Sequence, residues 1–199
     1  MWLLCYSGKE EHVNLVEPIR DKDDIQAMKD YLIHESAENP DRRRRNYMLF
    51  LTGISSGLRI GDIINLKVKD VQGWHIRVKE RKTKKVRTFR MTKTLKREMR
   101  EFVKDKPHHY YIFQSREGNN KPLSPEQCWN IIKEAAEFLG IDNIGTHSMR
   151  KTYGYHHYKQ FKDVAALMET FNHASPMITL RYIGIKQDQL DDLMRKFDL

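Results

Sequence analysis

The chain has 199 residues, 39% of them hydrophobic, and a formal net charge of +9. This composition supports a packed core and excludes a disordered chain, and the charge favours a polyanionic partner, nucleic acid before membrane. Cys5 and Cys128 match no metal or redox spacing, and no apolar run approaches the length of a membrane span. We therefore expect a cytoplasmic protein with reduced cysteines.

The first half of the chain predicts helices followed by a β-hairpin. After a lead-in over residues 1–14, apolar residues at helical spacing in "DKDDIQAMKDYLIHES" predict a helix that "NP" at 39–40 ends. A second helix over roughly 42–56 ends at Gly57, which suits a left-handed cap, and "RIGDIINL" predicts a short helix after it. The alternating "WHIRVKE" and "VRTFRM" flank the polar "RKTKK", which predicts an antiparallel hairpin.

The second half predicts mainly helices. One apolar face runs through 92–105, and "HYYIF" predicts a short strand. Ser124, Pro125 and Gln127 form the start signal of a helix that ends before Gly140. Further helices are predicted over about 147–160, 163–171, 176–182 and 188–197. The expected fold class is α+β, predominantly helical with a small antiparallel sheet.

The last predicted helix carries an apolar stripe made of Leu190, Leu193, Met194 and Phe197. Residues three and four apart lie on one face of a helix, so these side chains share a surface. We expect that surface to pack on its own domain in the absence of DNA. Contact with a neighbouring molecule is the alternative.

Four local sequences carry residue types that bind or attack anions. "SGLRIGDI" places Arg59 in a tight loop, and "RKTKK" places Lys82 at a hairpin tip. "HSMR" and "FNHASPMITLRY" supply two histidines, a second arginine and a tyrosine: His147, Arg150, His173 and Tyr182. Each has an ordinary alternative when taken alone, such as a solvated charge or a salt bridge between Arg59 and Asp62. Their joint occurrence in this order is what calls for an explanation.

The ordered set resembles the tyrosine recombinase, or phage integrase, family. The matching phrases are "TGISSGLRIGDIINL", "KTKKVR", "HSMRKTYGYH" and "FNHASPMITLRY", which together span residues 52–182. The resemblance implies the catalytic-domain fold of that family over residues 15–199. A core-binding domain commonly precedes it, and this chain has no room for one. We therefore expect a catalytic fragment, with a short family member as the alternative.

The departures from the family pattern are small. Asn172 stands where the family often has glycine before the second histidine, and both residues tolerate the left-handed conformation. Lys151 stands where many members have histidine, and Met149 stands where leucine is usual. None of these changes removes a charge that the chemistry requires.

The resemblance implies a metal-free transesterification that needs no cofactor, in which a tyrosine attacks DNA and a 3′-phosphotyrosyl link forms. Catalytic roles are implied for Arg59, Lys82, His147, Arg150, His173 and Tyr182, with Asp62 as an orienting residue. We expect phosphate contacts from Arg42, Arg45, Lys84, Lys85 and Lys151. The implied partner is double-stranded DNA. We expect the protein to be a monomer in solution and a tetramer when it is bound to DNA.

The sequence leaves two other functions open. A type IB topoisomerase shares the same chemistry, and a basic helical DNA-binding regulator suits the charge without being an enzyme. A zinc site is not expected, because the adjacent His156 and His157 point apart on a helix.

Overall fold

A computed structural model describes residues 16–79 and 86–197, so the predicted lead-in over 1–14 lies outside the described residues. The helices are α1 (Lys22–His34), α2 (Pro40–Ser56), α3 (Ile60–Ile63), α4 (Lys93–Val103), α5 (Pro125–Phe138), α6 (Thr146–Phe161), α7 (Val164–Phe171), α8 (Pro176–Tyr182) and α9 (Ile185–Met194), with a 3₁₀ turn at Val68–Val71. Strands β1 (His75–Lys79) and β2 (Val86–Arg90) pair antiparallel. The predicted fold class is therefore confirmed. Within the described ranges, no helix is long and apolar enough to cross a bilayer.

Helix α2 is the central element, and α1, α4 and α6 pack around it. Most side chains in its second half are buried, as expected for a helix with neighbours on several sides. The side chain of Asn39 caps its first turn, and Pro40 occupies the first helical position. The helix ends at Gly57, where φ is 63°. A Cβ there would lie 2.4 Å from the ring of Tyr153, so glycine is required for both reasons.

Three clusters of buried apolar side chains join the elements. The first lies between α2, the hairpin and α4, and the second joins α1, α2, α5 and α6. The third joins α6, α7 and the chain after α8 through Tyr155, Leu167, Phe171, Ile183 and Ile185. Gly154 permits this close packing, because a Cβ on it would lie 2.7 Å or less from Phe171 and Ile183. Helix α7 and the residues after α8 therefore pack closely against α6.

The predicted antiparallel hairpin is present and has a one-sided core. His75 of β1 pairs with Arg90 of β2, and Ile76 and Val78 of β1 are buried. The strand predicted at "HYYIF" is wrong, because that segment forms a single bridge between Tyr111 and Lys67. A strand needs a continuous ladder of partners, and these residues pack their apolar side chains without one.

The apolar stripe of α9 does not pack on its own domain, so that expectation is wrong. Leu190, Leu193 and Met194 on α9, and Phe197 just after its end, are 45–65% exposed. The first turns of α9 are the part that docks, through the buried Ile185 and through Asp188, which bonds to Arg20 and Tyr155. The helix then continues beyond this contact, and its apolar face is left exposed.

Candidate active site

The two predicted arginines meet at the C-terminal end of α7. The backbone oxygen of Phe171, the last residue of α7, accepts a hydrogen bond from Nη2 of Arg150 at 3.3 Å and lies 3.5 Å from Nη2 of Arg59. The last carbonyl groups of a helix have no partners inside the helix and carry partial negative charge. This helix end therefore holds two guanidinium groups side by side although the cations repel each other.

Arg59 reaches this point because of the turn between α2 and α3. Gly57 takes the left-handed conformation, and Arg59 follows as the N-cap residue of α3 with extended backbone angles. Asp62, the predicted orienting residue, lies three positions further along on α3 and is only 6% exposed. The sequence thus predicts the loop and the short helix correctly, and the role of Asp62 stays a prediction.

Arg150 is the most constrained residue of the site and is 5% exposed. Its Nη1 donates to the backbone oxygen of Gly57, and its guanidinium carbon lies 4.4 Å from the centre of the Phe171 ring. A guanidinium is planar and presents its donors in a fixed fork. Two carbonyl partners and one ring therefore fix the orientation of this group before any substrate binds.

Tyr182 ends α8 next to these arginines. Its ring centre lies 5.1 Å from that of His173 and 5.4 Å from that of Phe171. Burial raises the pKa of the Tyr182 phenol; the charge of Arg150, a hydrogen bond from Arg150 and the charge of Arg59 all oppose that rise. The phenol is therefore protonated at neutral pH, although Arg150, which hydrogen-bonds to it, and the charge of Arg59 favour its ionised form.

The turn after α7 places His173. Asn172 ends the helix with φ at 56°, the left-handed conformation expected at a position where glycine is common. Nδ1 of His173 lies 3.1 Å from Oγ1 of Thr179, a contact that orients the imidazole ring. Burial lowers the pKa of His173, and the charges of Arg150 and Arg59 lower it further.

His147 lies one helical turn before Arg150 on α6, as the sequence predicts, and its side chain is exposed. Desolvation of the ring lowers its pKa, and the charges of Arg150, Lys151 and Arg59 add to the effect. An imidazole in such surroundings is neutral at pH 7 and is able to accept a proton. Both predicted histidines therefore have the properties of a base while the site holds no anion.

Of the predicted lysines, Lys151 lies within the described ranges. Its Nζ donates to the backbone oxygen of Val16 at 2.6 Å and lies 5.5 Å from the centre of the Tyr182 ring. Burial lowers the pKa of its ammonium group. The other three belong to residues 80–85, outside the described residues: Lys82, Lys84 and Lys85.

The predicted DNA contacts Arg42 and Arg45 lie at the opposite end of α2. At 1.5 Å per residue, Arg45 is about 18 Å and Arg42 about 22 Å from Gly57 along the helix axis. Arg45 donates to the backbone oxygen of Gln114 at 2.9 Å and to the side chain of Asn46 at 3.0 Å. The structure therefore does not bring these two arginines to the site around α7.

Sequence reasoning missed Arg87, on β2. Its Nη1 donates to the backbone oxygen of Thr170 at 2.6 Å, and its Nη2 donates to that of Glu169 at 3.0 Å. A third guanidinium therefore binds the same end of α7 and ties the hairpin to it. The period-two pattern marks Arg87 as one of several alternating residues, and no local signal distinguishes it from the others.

Two other tyrosines on α6 are alternatives to Tyr182 as a nucleophile, and the structure gives each a packing role. The hydroxyl of Tyr155 donates to Asp188 at 2.8 Å, and burial and Asp188 raise its pKa to about 12. Tyr153 packs against Phe171 and beneath Gly57, and burial raises its pKa. Tyr182 is the tyrosine that contacts His173 through its ring.

The comparison with protein families agrees with this geometry. The model of the family described as "Phage integrase family" matches residues 21–189. The chain belongs to the phage integrase family. Its members are tyrosine recombinases, and the chain is a DNA strand transferase of this class.

Relatives of known name support the assignment. A probable integrase/recombinase of Bacillus subtilis, YoeC, is 45% identical over 177 residues, which cover 88% of this chain and 93% of that protein. The tyrosine recombinase XerA of Pyrococcus furiosus is 26% identical over 166 residues, 80% of this chain and 57% of that protein. The chain thus spans nearly all of the first of these relatives and a little over half of the second.

Solved structures show the same fold. The crystal structure of XerA recombinase superposes with a TM-score of 0.70 at 17% identity, covering 91% of this chain and 65% of that one. XerH recombinase in a post-cleavage complex with its difH substrate gives a TM-score of 0.67 at 19% identity, covering 90% and 53%. The catalytic domain of bacteriophage HP1 integrase gives 0.57 at 18% identity, covering 84% and 86%. These similarities establish the tyrosine recombinase catalytic-domain fold.

Proposed function

We propose that this recombinase attacks the scissile phosphate of double-stranded DNA with Tyr182, and that four side chains hold that phosphate: Arg59, His147, Arg150 and His173. One observation carries the proposal. The buried Arg150 is hydrogen-bonded at once to the carbonyl of Phe171, which also binds Arg59, and to the phenol of Tyr182. A single fixed guanidinium therefore connects the second arginine to the nucleophile.

The proposed step exchanges one phosphoester for another. The phenol oxygen of Tyr182 bonds to phosphorus, and the bond from phosphorus to the 5′ oxygen breaks. The phenol loses its proton and the leaving oxygen gains one, which gives a 3′-phosphotyrosyl link and a free 5′-hydroxyl. The energy of the broken ester is kept in the new one. A 5′-hydroxyl from another duplex can therefore reverse the reaction without ATP.

The nucleophile needs help to ionise. A phenol with a pKa near 10 is about one part in a thousand ionised at pH 7, a penalty of roughly 4 kcal/mol, and the burial of Tyr182 increases it. We propose that His147, with its lowered pKa, accepts the proton as attack begins. Arg150 and Arg59 stabilise the phenolate that forms.

The arginines also stabilise the transition state. Negative charge accumulates on the non-bridging oxygens of the phosphate, and a guanidinium matches such oxygens with two donors. At about 4 Å and an effective dielectric constant near 20, one such contact has a Coulomb energy of roughly 4 kcal/mol. Arg59 and Arg150 are held by a neutral carbonyl, which fixes their positions without supplying a full opposing charge.

The remaining assignments follow from position and charge. Lys82 in the hairpin is proposed to protonate the 5′ oxygen, and contacts to neighbouring phosphates are proposed for Lys84, Lys85 and Lys151. Contacts to more distant phosphates of the same duplex are proposed for Arg42 and Arg45. The free protein is proposed to be a monomer and the DNA-bound form a tetramer. The exposed apolar stripe of α9 supports the tetramer, because a neighbouring subunit can cover it.

The decisive experiment replaces Tyr182 with phenylalanine. Tyr182→Phe removes one hydroxyl and leaves the phosphate contacts that dominate affinity, so DNA binding is expected within a few-fold of the unmodified protein. The covalent adduct on a nicked duplex, seen by denaturing electrophoresis, is expected to disappear. Tyr153→Phe is the control, and its adduct is expected to persist. A denaturant-resistant adduct in Tyr182→Phe, or no adduct with the unmodified protein, contradicts the proposal.

The role of Lys82 is tested with a chemically altered leaving group. A substrate with sulfur in place of the bridging 5′ oxygen releases a thiolate, which needs no proton. Lys82→Ala is expected to cleave ordinary DNA on the order of 10²–10⁴-fold more slowly and to cleave the sulfur substrate almost normally. Lys84→Ala and Lys85→Ala are the controls. If one of them shows this rescue and Lys82→Ala does not, the general acid is assigned to the wrong lysine.

A further inference from the structure

The opposite end of α2 carries a second basic region, which we call the arginine cleft. The cleft has a volume of about 650 Å³, and its cationic lining includes Arg42, Arg45, Lys106 and Arg116. Phe102 and Ile112 also line it. Arg42 is about 22 Å from Gly57 along α2. This cleft is therefore separate from the site at the C-terminal end of α7, formed by Arg59, Arg150, His173 and Tyr182, which we call the α7 site.

Positive charge exceeds negative charge in the cleft. Asp41 and Glu101 also line it, which gives two carboxylates against the four cations named above. A fifth cation, Arg44, is already paired with Glu98 at 2.7 Å. Burial lowers the pKa of Arg45, and the charges of Arg42 and Arg116 lower it further. The positive charges of Arg42 and Arg116 therefore act on Arg45.

One donor of Arg42 lacks an acceptor within the described ranges. Nε of Arg42 is buried and has no hydrogen-bond partner among the described residues. A buried donor left without an acceptor costs roughly 1–3 kcal/mol, so such groups are rare and usually mark a missing ligand or water. The first turn of a helix is moreover its electropositive end, where clustered arginines are unfavourable unless an anion is present.

We propose that the arginine cleft binds a phosphate-type oxyanion, with Arg42 and Arg116 as the principal donors. A guanidinium fork presents two parallel donors to two phosphate oxygens, and both Arg42 and Arg116 line the cleft. Arg45 contributes mainly its charge, because its Nη1 and Nη2 already donate to Gln114 and Asn46. The phosphate belongs either to the backbone of a DNA duplex or to a free polyphosphate. The proposal goes beyond the phosphate contacts proposed above for Arg42 and Arg45, because it adds Arg116 and a defined cleft, and it does not depend on the chemical step at Tyr182.

The first experiment uses pyrophosphate as the probe and the full chain. The side-chain Nε–H resonance of Arg42 is identified in a nitrogen–proton correlation spectrum as the one lost in Arg42→Gln. Pyrophosphate is expected to shift this resonance in a saturable manner, while the Nε–H resonance of the exposed Arg100 stays in place. If pyrophosphate leaves the Arg42 resonance unmoved, the proposal is wrong.

Matched double variants give a second, independent readout. Arg42→Gln/Arg116→Gln is expected to weaken pyrophosphate binding at the cleft about ten-fold or more, measured by calorimetry beside any weaker binding at the α7 site. Arg100→Gln/Arg195→Gln removes the same charge from two exposed positions and is expected to bind as the unmodified protein does. Equal weakening in both double variants would mean that overall charge alone is responsible, and the proposal would fail. Thermal unfolding of both variants checks that they fold.

Salt dependence then separates the two sources of phosphate. If the cleft binds the backbone of DNA, Arg42→Gln/Arg116→Gln reduces the slope of log K against log salt for a nonspecific duplex by about one to two units. If the slope is unchanged while pyrophosphate binding is lost, the cleft takes a free polyphosphate. Either result supports an oxyanion site. Adduct formation by the double variant at saturating nicked duplex tests the recombination chemistry separately, because the chemical step depends on Tyr182, whereas Arg42 is proposed to contribute to DNA affinity alone.

Discussion

The two ends of α2 show two ways of holding clustered arginines. At the C-terminal end, Arg150 and Arg59 are bound by the carbonyl oxygen of Phe171, and Arg150 also binds that of Gly57. At the N-terminal end, Arg42 and Arg45 lie in the first turns of a helix, where the helix dipole opposes positive charge. The first arrangement stabilises both cations with neutral carbonyl groups. The second does so for Arg45 but leaves Nε of Arg42 without a hydrogen-bond acceptor among the described residues.

The difference has a functional meaning. Carbonyl oxygens fix a guanidinium in place and supply only partial negative charge, so the α7 site keeps its positive potential and a rigid geometry together. Such a site is suited to a transition state, which exists only briefly and cannot organise its own surroundings. The arginine cleft is organised less tightly and is suited to a ligand that stays bound. Substitutions at the two ends of α2 should therefore affect different measurements.

The largest difference is expected at Arg150. Arg150→Ala removes a buried donor of the proposed phosphate site and should slow adduct formation by about 10²–10³-fold. Arg150→Lys should restore little of this, because one ammonium cannot replace a planar fork held between Gly57, Phe171 and Tyr182. The rate is measured on a nicked duplex under single-turnover conditions, with exposed Arg100→Ala as the control. A loss of less than ten-fold in Arg150→Ala would contradict the assigned geometry.

Arg87 should have a smaller effect of a different kind. Its contacts join β2 to the end of α7, so Arg87→Ala should loosen the hairpin that carries Lys82 and slow cleavage by about ten-fold. DNA affinity should change little. Because the proposed defect is in the positioning of the general acid, the sulfur-bridged substrate should remove most of it. Arg77→Ala, at an exposed position on the partner strand, is the control. A defect that persists on the sulfur substrate would mean that Arg87 acts on the α7 site rather than on the position of Lys82.

Much of the fold is predictable because its signals are local. The capping box of Ser124 and Gln127 marks the start of α5, and the left-handed Gly57 marks the end of α2. The phrases that contain Arg59, Arg150 and Tyr182 are also local, so a resemblance identifies them without any knowledge of the tertiary structure. The structure adds that distant segments bring these side chains together.

The features that were missed depend on distant partners. Arg87 binds backbone carbonyl oxygens of residues more than 80 positions away. Because every residue has a carbonyl group, no residue type in the sequence predicts this contact. The stripe of α9 has a clear helical period, but a period shows that a face is apolar and not that a neighbour covers it. The "HYYIF" segment has strand-forming residues and lacks a ladder partner.

The smallest expected effect concerns the histidines of the α7 site and pH. The pKa values of His147 and His173 in the folded protein lie below 6.5, whereas imidazoles of the unfolded chain titrate near 6.5. Between these values the unfolded chain binds more protons than the folded one, so stability increases with pH and is lost on acidification below about pH 6.5. His173→Gln should make the midpoint of thermal unfolding less sensitive to pH between 5 and 7. His108→Gln, on a connecting loop away from the α7 site, serves as the control.

Binding of DNA should raise the lowered pKa values of the two histidines at the α7 site, and it should have no such effect at the arginine cleft. A phosphate placed between the arginines and the histidines favours the charged imidazole, so the pKa values of His147 and His173 should rise and binding should take up protons. Calorimetry in two buffers of different ionisation enthalpy measures this uptake, which is expected to be a fraction of a proton per duplex at pH 7. The uptake should shrink in His147→Gln and His173→Gln and remain in Arg42→Gln/Arg116→Gln, because no histidine is among the described residues that line the arginine cleft. Equal uptake in all of these variants would show that the phosphate does not lie beside the histidines, and the functional distinction between the two ends of α2 would then fail.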